Sequence, residues 1–163
     1  MEEKFISRQT LNFLLFEMLE IQNLSRHEYF NEYNKEALDM VLGTVNKMAV
    51  DLMRPNLREM DKNSPVYKDG RVLVHPVVKT FLRKCGEIGL ISAHFPFEQG
   101  GQQLPYSIVA AVNYIFAAAN YSLAVYPGLT SGAANLIVTF GSPDLKKYYI
   151  PKMFTGEWQG TMA

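Results

Sequence analysis

The chain has 163 residues, 48% of them hydrophobic, with 16 basic side chains balancing 16 acidic ones. That length predicts one domain with a core of its own, and a charge balance without any Lys/Arg cluster removes the electrostatic case for a nucleic-acid partner. Cys85 is the one cysteine, which excludes an intrachain disulfide and a cysteine zinc site and makes a reducing cytoplasm the expected location.

Glu2 and Glu3 stand where a secretory or mitochondrial presequence is basic, so no targeting segment is expected. The first helical signal is Leu11, Leu14, Leu15, Met18 and Leu19, an apolar set at i, i+3, i+4, i+7 and i+8, with Ser7 or Thr10 as its cap. Phe13 and Phe16 widen that stripe beyond one face. Two readings follow: a helix docked on its own domain with a second face for an oligomer contact, or a loosely held N-terminal helix.

A longer helix is predicted from Asn34 to Arg54, with Leu38, Val41, Leu42, Val45, Met48, Ala49 and Leu52 on one face and Pro55 as its stop. The polar link to His75 carries a tight-turn signal at Lys68-Asp69-Gly70-Arg71 and has room for a small hairpin at most. Pro76 suits the first position of a helix that buries Val77, Val78, Phe81 and Leu82 and stops at Gly86 or Gly89. Pro96, Gly100, Gly101 and Pro105 punctuate the loop that follows.

From Pro105 to Gly141 there is no Lys, Arg, Asp or Glu. A helix pair made from this stretch cannot turn a charged face to water and needs cover from other elements. Asn113, Tyr114, Asn120 and Pro127 interrupt it, so no membrane span is expected. The first helix carries Ile108, Ala111, Val112, Ile115 and Ala119 on one face, and Asn120 caps the second. Pro127-Gly128 is expected to interrupt that second helix, either as a packing kink or as space left for a ligand. Ser142-Pro143-Asp144 then opens a last helix ending at Ile150-Pro151, and Trp158, Gly160 and Met162 read as the beginning of a strand. A chain ending on such an apolar segment is expected to be a cut piece of a longer protein.

The residues alone predict an all-helical domain with no catalytic residue and no metal site. His27, His75 and His94 lie far apart without ligand spacing. Thr130-Ser131-Gly132 does not match a nucleophile turn. Cys85, beside Arg83 and Lys84, is either an activated thiol or an inert packing residue. Glu87 and Glu98 read as solvated glutamates rather than a catalytic pair.

The block from Cys85 to Ala163 resembles the N-terminal helical domain of flavin-dependent acyl-CoA dehydrogenases. Gly89-Leu90, the loop from Pro96 to Gly101, the small-residue helix pair, Gly141 to Pro151, and Gly156-Glu157-Trp158 follow that family's motifs in order and spacing. The family loop ends on a further glycine, whereas Gln102-Gln103 stands here. Ala118-Ala119-Asn120, Tyr126-Pro127-Gly128-Leu129-Thr130 and the N-terminal extension look most like the branch that includes 3-methylmercaptopropionyl-CoA dehydrogenases.

The resemblance implies an all-α, up-and-down bundle-like domain, with residues 1–30 as a helical extension, 31–157 as the family domain and 158–163 as the start of a β-domain strand. It implies an acyl-CoA substrate, an FAD cofactor bound by the full-length protein and not by this piece alone, an electron-transfer flavoprotein as partner, and a homo-oligomer. The family's flavin motif, L-T-E-P-x-A-G-S, and its glutamate base both fall past Ala163, so the piece alone is expected to be inactive. By the same resemblance, Tyr126, Gly128, Leu129 and Ser131 lie near the acyl chain and Met162 near the flavin. A helical interaction module without flavin, and an acyl-CoA oxidase or flavin monooxygenase of the same fold, are the alternatives.

Overall fold

A computed structural model describes residues 5–161. Ser7 caps the first helix, α1 (Arg8–Asn12), by accepting the Thr10 N–H at 3.1 Å, and the chain continues into a wider π-type turn at Phe13–Met18. Leu11, Leu15, Phe16 and Ile21 are buried, while Phe13, Leu14, Met18 and Leu19 face solvent. The extension is thus docked and two-faced. Arg8 holds it to the next helix through an ion pair with Asp39 at 2.9 Å, and the Gln103 amide donates to the Tyr29 carbonyl.

Asn34 caps α2 (Lys35–Met48), its Oδ1 accepting the Ala37 N–H at 2.8 Å. Leu38, Leu42, Val45 and Ala49 are completely buried, as the periodicity predicts. Pro55 does not end the helical path. A π-type turn at Ala49–Met53 places the proline in the first turn of α3 (Arg54–Lys62), where no N–H is required of it, so the chain stays helical for two further turns. The hairpin is small: β1 (Val66–Lys68) pairs antiparallel with β2 (Arg71–Leu73). Asp69 and Gly70 both have positive φ, 50° and 75°, the geometry of a two-residue type I′ connection.

Helix α4 (Val77–Glu87) buries Val77, Val78, Phe81, Leu82 and Cys85. Gly89 stops it, with φ 70°: its N–H reaches the Gly86 carbonyl and the Leu90 N–H reaches that of Cys85, which is a Schellman arrangement. Cys85 has no exposed surface, and burial pushes its thiol far up from the usual range, so it is the packing residue rather than the activated one. A thiol reagent such as DTNB at pH 8 is expected to leave the native chain unlabelled and to titrate one thiol after denaturation; rapid labelling of the native chain would contradict that assignment.

The uncharged stretch forms α5 (Tyr106–Phe140), which packs against α2, α3, α4 and the last helix, α6 (Pro143–Phe154). By length and composition α5 is able to cross a membrane, yet it is broken in the middle and contributes Ile108, Ile115, Ala119 and Leu123 to the core with no exposure. Phe116 meets Phe81 of α4 edge to face at 5.3 Å. Ser142 caps α6 as predicted, accepting the Leu145 N–H at 3.3 Å. The helix runs past Pro151 to Phe154, because Met153 and Phe154 bury their side chains in the next turn. Trp158 folds back on α6, its N–H donating to the Lys152 carbonyl at 3.0 Å and its indole lying 4.0 Å from the Lys152 ammonium. Residues 159–161 pair with no strand.

Candidate functional site: a cleft between the arms of the uncharged helix

The break in α5 falls at Asn120, not at Pro127-Gly128. Asn120 has φ −165° and ψ 95°, the sole non-helical backbone within the element, while Pro127 keeps helical geometry in the wall of the second arm. Asn120 is 1% exposed, and both ends of its amide are used. Oδ1 accepts the Leu123 N–H at 3.3 Å, capping residues 121–140 as expected, and Nδ2 donates to the Met53 carbonyl at 3.2 Å. That second bond ties the break to the π-type turn after α2. No local sequence signal marks it.

The break makes a cavity. A cleft of about 370 Å³ touches both Tyr106 near one end of α5 and Asn135 near the other. An unbroken helix would hold those two residues roughly 40 Å apart, so the arms must fold back toward each other. Counting outward from Asn120, Phe116, Val112 and Pro127 form the inner end, and Tyr106 and Asn135 form the mouth, with His94 and Leu90 from the preceding loop beside them. The second arm presents Gly128, Ser131, Gly132 and Asn135 at i, i+3, i+4 and i+7, one helical face. Its other side is covered: Thr130 donates to the Tyr126 carbonyl at 2.8 Å and accepts the Gly160 N–H at 3.3 Å.

Of the residues carried over by resemblance, Gly128 and Ser131 lie in this cleft. Tyr126 lines a separate groove of about 300 Å³ with Met60, Ser122 and His75. There the His75 Nδ1 accepts the Val77 N–H at 3.2 Å, which directs Nε2 toward the Glu59 carboxylate 3.3 Å away. Leu129, one helical step off the cleft face, is 37% exposed and lines neither space. Met162 lies outside the described residues. His94, Tyr106, Asn113 and Asn135 are not among the site residues that sequence reasoning selects; for the last three the available signal is that polar side chains in an otherwise uncharged helix pair fall at helical spacing, and for His94, in the preceding loop, there is none.

Among the described residues no Lys, Arg, Asp or Glu lines the cleft. Its titratable groups are Tyr106 and His94, and burial holds the His94 imidazole below its ordinary value, so it is neutral at pH 7. The His94 ring lies at a tilt against Phe95, with centroids 4.2 Å apart, and against Tyr106 at 5.1 Å. Among the described residues there is no group of three or more side chains able to hold a metal ion.

Residues 35–157 match the family model for the acyl-CoA dehydrogenase N-terminal domain. A 3-methylmercaptopropionyl-CoA dehydrogenase of Ruegeria pomeroyi is 30% identical over 151 residues, 89% of this chain and 26% of its own length. A butyryl-CoA dehydrogenase of Syntrophomonas wolfei is 27% identical across 99% of this chain and 27% of its own length. Among solved structures, an acyl-CoA dehydrogenase complexed with FAD from Bacillus anthracis superimposes with a TM-score of 0.62 at 27% identity, over 79% of this chain and 21% of that one. A glutaryl-coenzyme A dehydrogenase in complex with glutaryl-CoA gives 0.61 at 26% identity, over 78% and 30%. The chain therefore spans about a quarter of the curated relatives it matches, 26% and 27%.

Proposed function

The chain belongs to the acyl-CoA dehydrogenase family through its N-terminal helical domain, and from that premise we propose that the cleft in α5 is one wall of the acyl pocket of a flavin-dependent oxidoreductase acting on acyl-CoA thioesters. The observation carrying this is the break at Asn120, which folds an uncharged helix into two arms around an apolar inner end. Such a surface takes an acyl chain without desolvating any charge.

In this reading the residues of the chain bind and orient; they do not remove the α-proton. No carboxylate lines the cleft, so the general base comes from elsewhere in the protein. FAD, with which the Bacillus anthracis neighbour is complexed, would supply the hydride acceptor. The described residues of the cleft walls do not by themselves fit it, because an FAD diphosphate needs cations or converging N–H donors and there is no Lys or Arg among them. The flavin contacts are accordingly assigned to other parts of the protein, and the piece by itself is inactive. An electron-transfer flavoprotein as electron acceptor, a homo-oligomeric assembly and a cytoplasmic location belong to the same proposal. Exposed Leu136 and Phe140, 57% and 80% accessible at the end of α5, supply apolar surface for such contacts.

Gly128 gives the direct test. A β-carbon built there meets nothing within 4 Å, so the side chain of Gly128→Phe starts into open space and is directed into the cleft. Titration of the ¹⁵N-labelled chain with butyryl-CoA is expected to shift amide resonances along both arms, and G128F is expected to weaken that binding about tenfold or more without lowering the melting temperature. Undiminished binding to G128F would rule the cleft out as the acyl wall.

A further inference from the structure

We propose that the cleft selects an uncharged acyl group bearing a hydrogen-bonding atom, such as a hydroxyl or keto oxygen, over both a plain alkyl chain and an acyl chain ending in a carboxylate, and that His94 is the residue that reads that atom. The inference rests on the acyl-pocket reading and narrows it to a substrate class.

Three features of the walls carry it. The first is the exclusion of charge. Neither arm of α5 supplies a Lys or Arg, since the sequence has none from Pro105 to Gly141, and Leu90 and His94 add no cation. A carboxylate entering this space loses its hydration with no counter-charge to replace it, so acyl groups with a terminal acid are disfavoured.

The second feature is the division of the cleft along its length. Phe116, Val112 and Pro127 offer only carbon at the inner end, whereas His94, Asn135 and Ser131 bring hydrogen-bonding atoms to the middle and mouth. A purely alkyl chain would cover those polar groups without satisfying them, which is the circumstance in which a site rejects the analogue lacking the bonding atom.

The third is the state of His94. It is half-buried, and its ring packs at a tilt between Phe95, 4.2 Å away between centroids, and Tyr106, 5.1 Å away, which limits its rotation. Among the described residues no hydrogen bond engages its nitrogens. Neutral imidazole offers one donor and one acceptor, so it pairs with a hydroxyl or a keto oxygen alike, and it supplies no counter-charge to an anion.

The test compares butyryl-CoA, 3-hydroxybutyryl-CoA and glutaryl-CoA, which share the CoA moiety, as ligands of the full chain in ¹⁵N–¹H titrations. The hydroxyl-bearing ligand is expected to bind about five- to tenfold more tightly than butyryl-CoA, and glutaryl-CoA about tenfold or more weakly. His94→Phe retains the flat ring and removes both nitrogens; it should abolish the hydroxyl preference, bringing 3-hydroxybutyryl-CoA to the affinity of butyryl-CoA, while a ¹⁵N–¹H spectrum unchanged away from the cleft reports that the variant is folded. Asn135→Leu, on the exposed rim, is the second variant and should reduce the preference only in part. A preference unchanged in H94F, or glutaryl-CoA binding as well as butyryl-CoA, would overturn this inference while leaving the acyl pocket standing. If none of the three ligands binds, both the inference and the acyl-pocket reading fall.

Discussion

Replacing Asn120 with leucine is expected to lower the free energy of unfolding by about 2–4 kcal/mol, read as a shift of the urea midpoint at constant slope. Leucine keeps the branching at Cγ, is larger, and loses both hydrogen bonds: the cap on the Leu123 N–H at 3.3 Å and the donation to the Met53 carbonyl at 3.2 Å. Each loss leaves a group short of a partner at a site that is 1% exposed, where an unmade bond carries its full desolvation cost. A neighbouring comparison isolates the effect. Asn56 also donates its amide to a carbonyl of the same π-type turn, that of Leu52 at 2.7 Å, but lies half-buried and caps nothing. Asn56→Ala is expected to cost about 1 kcal/mol or less. If N120L were no worse than N56A, Asn120 would not be the residue that holds the break, and the origin of the cleft would have to be sought at Pro127 instead.

That contrast bears on what the sequence discloses. Helix positions and faces follow from period and caps: Ser7, Asn34 and Ser142 are each legible as caps, and the stripe from Leu38 to Ala49 is the buried one. What misleads is proline. Pro55, Pro127 and Pro151 all suggest helix ends or interruptions by their missing N–H, yet none ends a helix here. At Pro55 the preceding π-type turn shifts the register so that no donor is needed, and at Pro151 two buried side chains in the following turn hold the helix on. Such outcomes depend on tertiary neighbours that no local window contains. The break at Asn120 is half visible, as a cap; its tie to Met53 links residues far apart in sequence and is not. The cleft is less legible still. Family motifs lead to Gly128 and Ser131, but His94 belongs to a loop and reaches the site only because the two arms fold back beside it. The same motifs mark the second arm as a run from Tyr126 to Ser131, whereas helical geometry divides that run among three surfaces, with Tyr126 on the groove near His75 and Leu129 toward solvent.

Small residues present the same ambiguity, and a pair of glycine substitutions of opposite sign resolves it. Gly86 and Gly128 both lie within helices, although the sequence suggests a helix stop at the first and an interruption at the second. Around Gly86 there is a close approach. A β-carbon there would sit 2.1 Å from the Thr155 carbonyl oxygen and 2.2 Å from its carbon, where α4 meets the turn after α6. The obstruction is backbone, with no flexible side-chain end to move aside, so Gly86→Ala forces α4 away from that turn. The expected loss is about 3 kcal/mol. Around Gly128 there is nothing within 4 Å. Alanine is the better helix former by roughly 0.5–1 kcal/mol, so Gly128→Ala is expected to raise stability by about that amount. Urea denaturation of the two variants against the parent chain decides the matter. Opposite signs establish that the glycine at Gly86 serves docking of α4 and that the glycine at Gly128 is retained at a cost in stability, as expected of a position that keeps a binding wall flat. A destabilised G128A would mean that the space beside it closes in solution, and the cleft could then not be the acyl wall.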